Sequence, residues 1–343
     1  MKNITYIFIL IVSISKAQIG GQSIYSFLQV PVPARTASLG GSTIGLKDDD
    51  VSLYLQNPSA LNKSMSDKIQ MSYINYVADI NFYNLQYVKS FDSIGHFGIA
   101  LQNVNYGKFI ESDEYGMQQG TFTANYYNLT LSYGNELDSI LSWGINIKTI
   151  YSKLYTFSSI GNSIDAGITY KNKKRDFVAA LVLNNFGYQW KSYSGNTVEK
   201  IIPEINFGIS KKLAKAPIRF LFNYQNMNQW DLTYVDPNAS TLTTDPFSGE
   251  EIKTSKFRTT SDKLFRHFLF GTEISPGKNF QLRVGYNYRR RKEMQLPDNG
   301  GMVGLSLGFG IKIKKIYVNY AFTKYHAAGN TSHISISTNL SSF

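Results

Sequence analysis

From residue 68 onward, apolar and polar residues alternate in short runs separated by turn residues. Near the end of the chain Val303, Leu305, Leu307, Phe309, Ile311 and Ile313 share one parity, and Gly304, Ser306, Gly308, Gly310 and Lys312 share the other. Successive side chains of a strand point to opposite faces, so this is a strand with one greasy face. Leu141, Trp143, Ile145, Ile147 and Tyr151 stand in the same way against Ser142, Gly144, Asn146 and Lys148. Phe280, Leu282, Val284, Tyr286 and Tyr288 oppose Gln281, Arg283, Gly285, Asn287 and Arg289.

The pattern predicts strands over 68–77, 79–90, 95–106, 120–135, 139–153, 160–172, 175–186, 203–212, 216–230, 262–275, 278–292, 300–314, 315–325 and 331–341. That makes about fourteen, an even number as in bacterial single-chain barrels. Most exceed the roughly 9 to 11 residues that a tilted strand needs to cross the hydrocarbon. The final residue, Phe343, falls out of phase with Ile334, Ile336 and Leu340.

The connections alternate as well. FDSIG, NELD, YKNKKR, KKLAKAP, SPGKN and KIKK are tight, whereas 107–119, 153–159, 187–202, 231–261, 292–299 and 325–330 are longer, and only the first connection of the long set, around Ala78-Asp79, is short. Outer-membrane barrels have short periplasmic turns and long outer loops, and sandwich loops carry no such bias. Tyr and Phe gather toward strand ends, where an interfacial girdle would place them. The fold class expected is therefore all-β, a transmembrane antiparallel β-barrel.

Residues 1–17 carry Lys2, an apolar stretch from Ile4 to Ile14 and a small-x-small site ending at Ala17, the pattern of a cleaved signal peptide. Residues 18–67 do not read as strands, because Pro31 and Pro33 forbid regular pairing and Gly40-Gly41 marks a turn. Asp48, Asp49 and Asp50 can cap a short helix through Val51, Leu53, Tyr54 and Leu55. We expect this segment to plug the barrel formed by residues 68–343.

Composition narrows the chemistry. The chain has 343 residues, 24 Tyr, 22 Phe, 27 Gly and no Cys, which excludes a disulfide framework and a thiolate metal site. The formal charge of +11 falls to +9 when Lys2 and Lys16 leave with the leader. An exported chain does not meet the genome, so lipid phosphates are the expected counter-charge and nucleic acid is not. The four histidines, His96, His267, His326 and His333, are scattered without a neighbouring acid at a useful spacing. Neither a metal site nor a cofactor is expected, and no catalytic residue is singled out.

Two stretches remain as candidate contact sites. The longest connection, with Asp231, Tyr234, Asp236, Pro246 and Phe247, is a candidate partner-binding loop. Arg289, Arg290, Arg291 and Lys292 follow a strand at its outer end, where they can meet lipopolysaccharide phosphates or an acidic partner. The lysines of the opposite rim, Lys212 and Lys312 among them, are expected to face periplasmic headgroups.

Pro33, Ala34, Arg35, Leu39, Gly40 and Gly41, then Asp50, then Asn57, Pro58 and Ala60, form the sharpest motifs in the chain. They resemble the N-terminal signature of the PorQ family of the type IX secretion system, and more distantly PorV and the FadL-type fatty-acid channels. The resemblance implies a FadL-like barrel in the outer membrane. It also implies a non-enzymatic anchor that tethers a PorZ-like surface protein, with PorU and PorV, in an attachment complex for secreted cargo. The alternative is a FadL-type channel for a hydrophobic solute, which needs a contiguous apolar pocket in the lumen. The inward parity is mainly Asn, Gln, Ser, Thr, Gly and charged residues, which favours the anchor.

Overall fold

The computed structural model describes residues 23–195, 197–233, 255–295, 301–326 and 329–342. The expected leader, Tyr234, Asp236, Pro246, Phe247 and the terminal Phe343 lie outside the described residues.

Fourteen antiparallel strands close into one barrel in sequence order. They are β1 (Lys68–Asn75), β2 (Asn81–Phe91), β3 (Gly95–Ser112), β4 (Gln118–Glu136), β5 (Leu141–Leu154), β6 (Phe157–Asn172), β7 (Phe177–Lys191), β8 (Glu204–Lys212), β9 (Ile218–Tyr224), β10 (Phe268–Ile274), β11 (Phe280–Asn287), β12 (Leu305–Ile313), β13 (Ile316–His326) and β14 (Gly329–Asn339). The ring is sealed by β1 against β14, from Lys68 opposite Asn339 to Asn75 opposite Ser332.

Burial is inverted relative to a water-soluble fold. Leu85, Ile99, Leu101, Leu131, Ile147, Leu181, Leu307 and Ile336 are exposed on the outside, while Gln70, Asn84, Gln86, Asn128, Asn146 and Ser335 are buried within. An apolar outer band of this kind is stable only against acyl chains, and closure leaves no strand edge unpaired in lipid. The two aromatic girdles are visible as cross-strand ring pairs. Tyr73 with Tyr83 and Tyr127 with Tyr151 mark one level. Phe91, Phe97, Tyr133 and Trp143 are joined in a chain of edge contacts at the other.

Four expected strands are markedly shorter than the alternation suggests; besides the three that follow, the expected strand 300–314 begins only at Leu305, because 301–304 form a turn with Gly301 and Gly304 at positive φ. β9 stops at Tyr224 rather than at residue 230. The expected strand 262–275 begins only at Phe268, because helix α2 (Lys256–Phe265) occupies its first part and Asp262 pairs with Arg266 one turn on. The expected strand 278–292 ends at Asn287, whose side chain accepts from the Arg290 amide and caps helix α3 (Tyr288–Met294). The Arg289–Glu293 pair at 2.7 Å is the i,i+4 contact that favours the helical alternative. Conversely, the stretches 107–119 and 153–159, expected as loops, are mostly strand, and β5 turns into β6 through Tyr155 and Thr156 alone.

The N-terminal residues run inside the barrel. Helix α1 (Ala34–Ser38) and the 3₁₀ turns Val51–Leu55 and Pro58–Ala60 are buried. The Asp50 carboxylate accepts from the Ser52 amide and Asn57 from the Ser59 amide, as capping residues do. One apolar cluster joins Leu39, Leu46, Leu53, Tyr54, Leu61 and Met65 to Val88, Ala100 and Leu221 of the wall. A second joins Ile24, Tyr25, Phe27 and Val32 to Ile74, Phe82, Val104 and Ile150, with Ile201 folding in from the β7–β8 connection.

Candidate functional site

The motif residues of the inner segment converge on the wall through close backbone approach. A Cβ on Gly144 of β5 would lie 2.5 Å from the Pro58 carbonyl carbon, and one on Gly285 of β11 would collide with the Gly40 amide. Only glycine at these wall positions lets the Asn57–Pro58–Ser59–Ala60 and Leu39–Gly40–Gly41 elements seat. Asn57 donates to Thr169 of β6 at 2.9 Å and to the Ile44 carbonyl at 3.0 Å. The Ala34 amide donates to Ser335, and His333 meets the Val32 carbonyl. Ser335 and His333 therefore face the lumen and hold the chain after Pro31.

Arg35 is the electrostatic pivot. Its guanidinium forks onto Asp48 at 2.7 and 2.8 Å, reaches Asp50 at 3.2 Å and meets both oxygens of Glu273 on β10 at 3.0 Å. Arg219 of β9 bridges Asp48 and Glu273, and Arg283 of β11 donates to Glu273 at 2.8 Å. Burial by itself would raise the Asp48 carboxyl, but Arg35 and Arg219 overcome it and hold the group well below the usual carboxylate range. Arg35 and Asp50 were legible as motif residues. Arg219, Glu273 and Arg283 were not, although each sits on the inward parity of its strand, where a charge has to find a partner.

At the other end of the lumen lies a cavity of about 420 Å³. Leu28, Val30, Ile44 and Leu55 of the inner segment, Tyr76, Tyr325 and Met294 supply its apolar side; Lys148, Glu204, Asn206, Asn226, Arg289 and Arg290 supply its polar side. Most of these charges are spoken for. Lys148 pairs with Asp165 at 2.8 Å, and Gln29 donates to Glu204 at 2.5 Å. Arg290 differs: its guanidinium carbon sits 3.9 Å above the centre of the Tyr325 ring, and its Nη1 is buried with no acceptor. A buried donor without an acceptor costs about 1–3 kcal/mol, and this one has none among the described residues.

The run Arg289–Lys292 thus divides. Arg289 and Arg290 turn toward the cavity, whereas Arg291 donates to the Gly301 carbonyl at 3.2 Å and Lys292 approaches Asp262 at 3.5 Å. Of the candidate partner loop, Asp231 is described. Lys263 of α2 binds it at 2.6 Å and Thr233 donates twice to it. Burial opposes that charge, but these partners prevail and lower its pKa to about 2. Among the described residues no group of three His, Cys, Asp or Glu side chains could hold a metal ion.

No protein-family model and no curated protein sequence matches the chain, so the finer PorQ assignment finds no support there. Solved structures do match. The Ralstonia pickettii toluene transporter TbuX aligns over 92% of this chain and 100% of its own, at 11% identity and a TM-score of 0.54. The Pseudomonas putida toluene transporter TodX aligns over 90% and 96%, at 11% identity and 0.51. The chain shares their barrel fold. At such low identity the likeness concerns the fold alone. A Pseudomonas aeruginosa FadL homologue aligns more distantly, at 9% identity and 0.48 over 90% of this chain and 98% of its own.

Proposed function

We propose that this protein is an outer-membrane barrel that admits a small hydrophobic solute to the outer lumenal cavity, with the inner segment as the stopper that must shift for release. The observation that carries this reading is the cavity itself, of about 420 Å³, in which Leu28, Val30, Leu55, Met294 and the rings of Tyr76 and Tyr325 form an apolar side beside two buried groups, Arg290 Nη1 and the Tyr325 hydroxyl, that lack a partner among the described residues. Its volume is within the range of roughly 300–1,000 Å³ typical of small-ligand sites. This reverses the weighing from parity alone. The inward strand residues are polar, but the inner segment brings its own apolar side chains into the lumen.

The fold shared with toluene transporters makes toluene the first probe. Toluene titrated into the detergent-solubilised protein should bind, and Leu55→Trp, which fills the cavity, should weaken binding about tenfold or more, a loss of roughly 1.4 kcal/mol. Absence of binding, or binding indifferent to Leu55→Trp, would overturn the reading.

A second reading keeps the attachment-complex anchor, with a PorZ-like surface protein, PorU and PorV as partners and lipopolysaccharide at the outer rim. The resemblance of the motifs from Pro33 to Ala60 supports it, as does the β3–β4 ribbon, whose outer end leaves Ile110, Tyr115 and Met117 exposed. Stoichiometric co-purification of a large surface protein that is lost on deleting 109–121, together with no toluene binding, would put this reading first.

A further inference from the structure

The short-turn end of the lumen, periplasmic in an outer-membrane orientation, holds another cavity of about 590 Å³ between Asp48–Asp50 and the ends of β8–β14. Its carboxylates are already matched. Asp48, Asp50 and Glu273 are shared by Arg35, Arg219 and Arg283, and Asp49 is paired with Lys68 at 2.6 Å. Four carboxylates meet four cations, which balances.

The surplus is cationic. Lys212, Lys278 and Lys312 also line the cavity, and none has a carboxylate partner among the described residues. Lys212 continues the inward parity of Asn206, Gly208 and Ser210 on β8, and Lys312 that of Ser306 and Gly310 on β12. These two lysines therefore face the lumen mouth, not the bilayer headgroups that the sequence suggested. Arg219 spends only its Nη1 on Asp48 and Glu273 and keeps a quarter of its side chain exposed on the same wall.

We propose that this vestibule binds a small multivalent anion, of the phosphate-ester or polycarboxylate type, arriving from the periplasmic side. Three unpaired ammonium groups around a recess with low-dielectric walls focus positive potential inward. A di- or trianion meets that surplus through charge-assisted hydrogen bonds, with the free edge of Arg219 as a planar fork. A hydrophobic solute has no reason to stop there. Because Arg219 also holds Asp48, an anion on Arg219 competes with the ion pairs that dock the inner segment, which couples occupancy of this end to the stopper.

The test uses the full-length protein in uncharged detergent at low ionic strength, titrated calorimetrically with inorganic pyrophosphate and, in a parallel arm, with citrate. Binding of either should weaken about tenfold or more in Lys212→Gln/Lys312→Gln. It should stay unchanged in Lys174→Gln/Lys215→Gln, which removes two exposed lysines from turns at the same end. The stronger of the two anions identifies the ligand class. A band that still shifts on unboiled gels confirms that each variant is folded. No binding of either anion, or equal weakening by both pairs of substitutions, would overturn the proposal. Toluene binding is read separately, so the failure of one reading does not mask the other.

Discussion

The barrel has a tall wall and a short one. β3 to β7 run 14 to 19 residues each, whereas none of β8 to β12 exceeds nine. At about 3.3 Å per residue and a tilt near 45°, the tall strands outreach a hydrocarbon layer of about 25–30 Å, whereas the short ones rise only about 16–21 Å and fall short of it. Above the girdle level of Tyr127 and Tyr151, the tall side continues outward as a ribbon with Phe109 stacked on Phe122. On the short side the chain leaves the sheet early, at Tyr224 and Asn287, and α2 and α3 follow. The two walls also grip the inner segment differently. The tall wall uses mostly neutral groups such as Thr169 and Ser142, with one ion pair, Lys47–Glu136, at its foot, and the short wall uses Arg219 and Glu273, the latter held in turn by Arg283.

If the short wall carries the electrostatic grip, Arg35→Met should do the most damage. It strands Asp48 and Glu273 without their main counter-charge, and breaking one side of such a buried network costs about 3–5 kcal/mol. Limited proteolysis should then cut within residues 23–67 while the barrel resists. An inner segment as protected as in the parent would mean the neutral contacts of the tall wall hold it.

The tall wall should itself divide at its outer girdle. Leu131→Lys, between the aromatic levels, should cost about 2–4 kcal/mol in a detergent or lipid unfolding titration, whereas Ile110→Lys on the ribbon should cost at most about 1 kcal/mol. Similar costs at the two positions would put the ribbon in lipid.

A pH dependence is also expected on the tall side. Lys47 of the inner segment is buried near Glu136 at the foot of β4, and burial lowers its pKa to about 8 from 10.5, with Glu136 offsetting only part of the loss. The unfolded chain binds this proton more tightly, so stability should rise as pH increases from about 8 to about 10.5. The penalty is fully present below about 8. Thermal midpoints measured across that window should climb in the parent and climb less in Lys47→Met.

Much of this architecture was legible in the order of residues. Alternation at period two identified all fourteen strands, because lipid outside and polar groups inside leave no other use for the pattern. It failed at 225–230, 262–267, 288–292 and 301–304, where apolar and polar residues still alternate loosely but local caps, i,i+4 pairs or glycines at positive φ make helix or turn the better solution. The motif residues from Pro33 to Ala60 stood out as a group, and Asp50 and Asn57 as caps. Their purpose did not, since it depends on wall glycines such as Gly144 and Gly285 that are distant in sequence. The outer cavity was equally hidden. Polar inward strands argued against an apolar pocket, and Leu28, Val30 and Leu55 reach the lumen only because the inner segment folds back into it.

The seam between β1 and β14 has a consequence for how the inner segment is held. Residues 23–67 lead straight into β1, and they touch β4–β6 on one side and β10–β14 on the other. A tenant in contact with both sides of a ring braces it from within. Because the occupant runs directly into Lys68–Asn75, the strand that zips onto Ser332–Asn339, its trailing end is pinned by the same pairing that closes the ring.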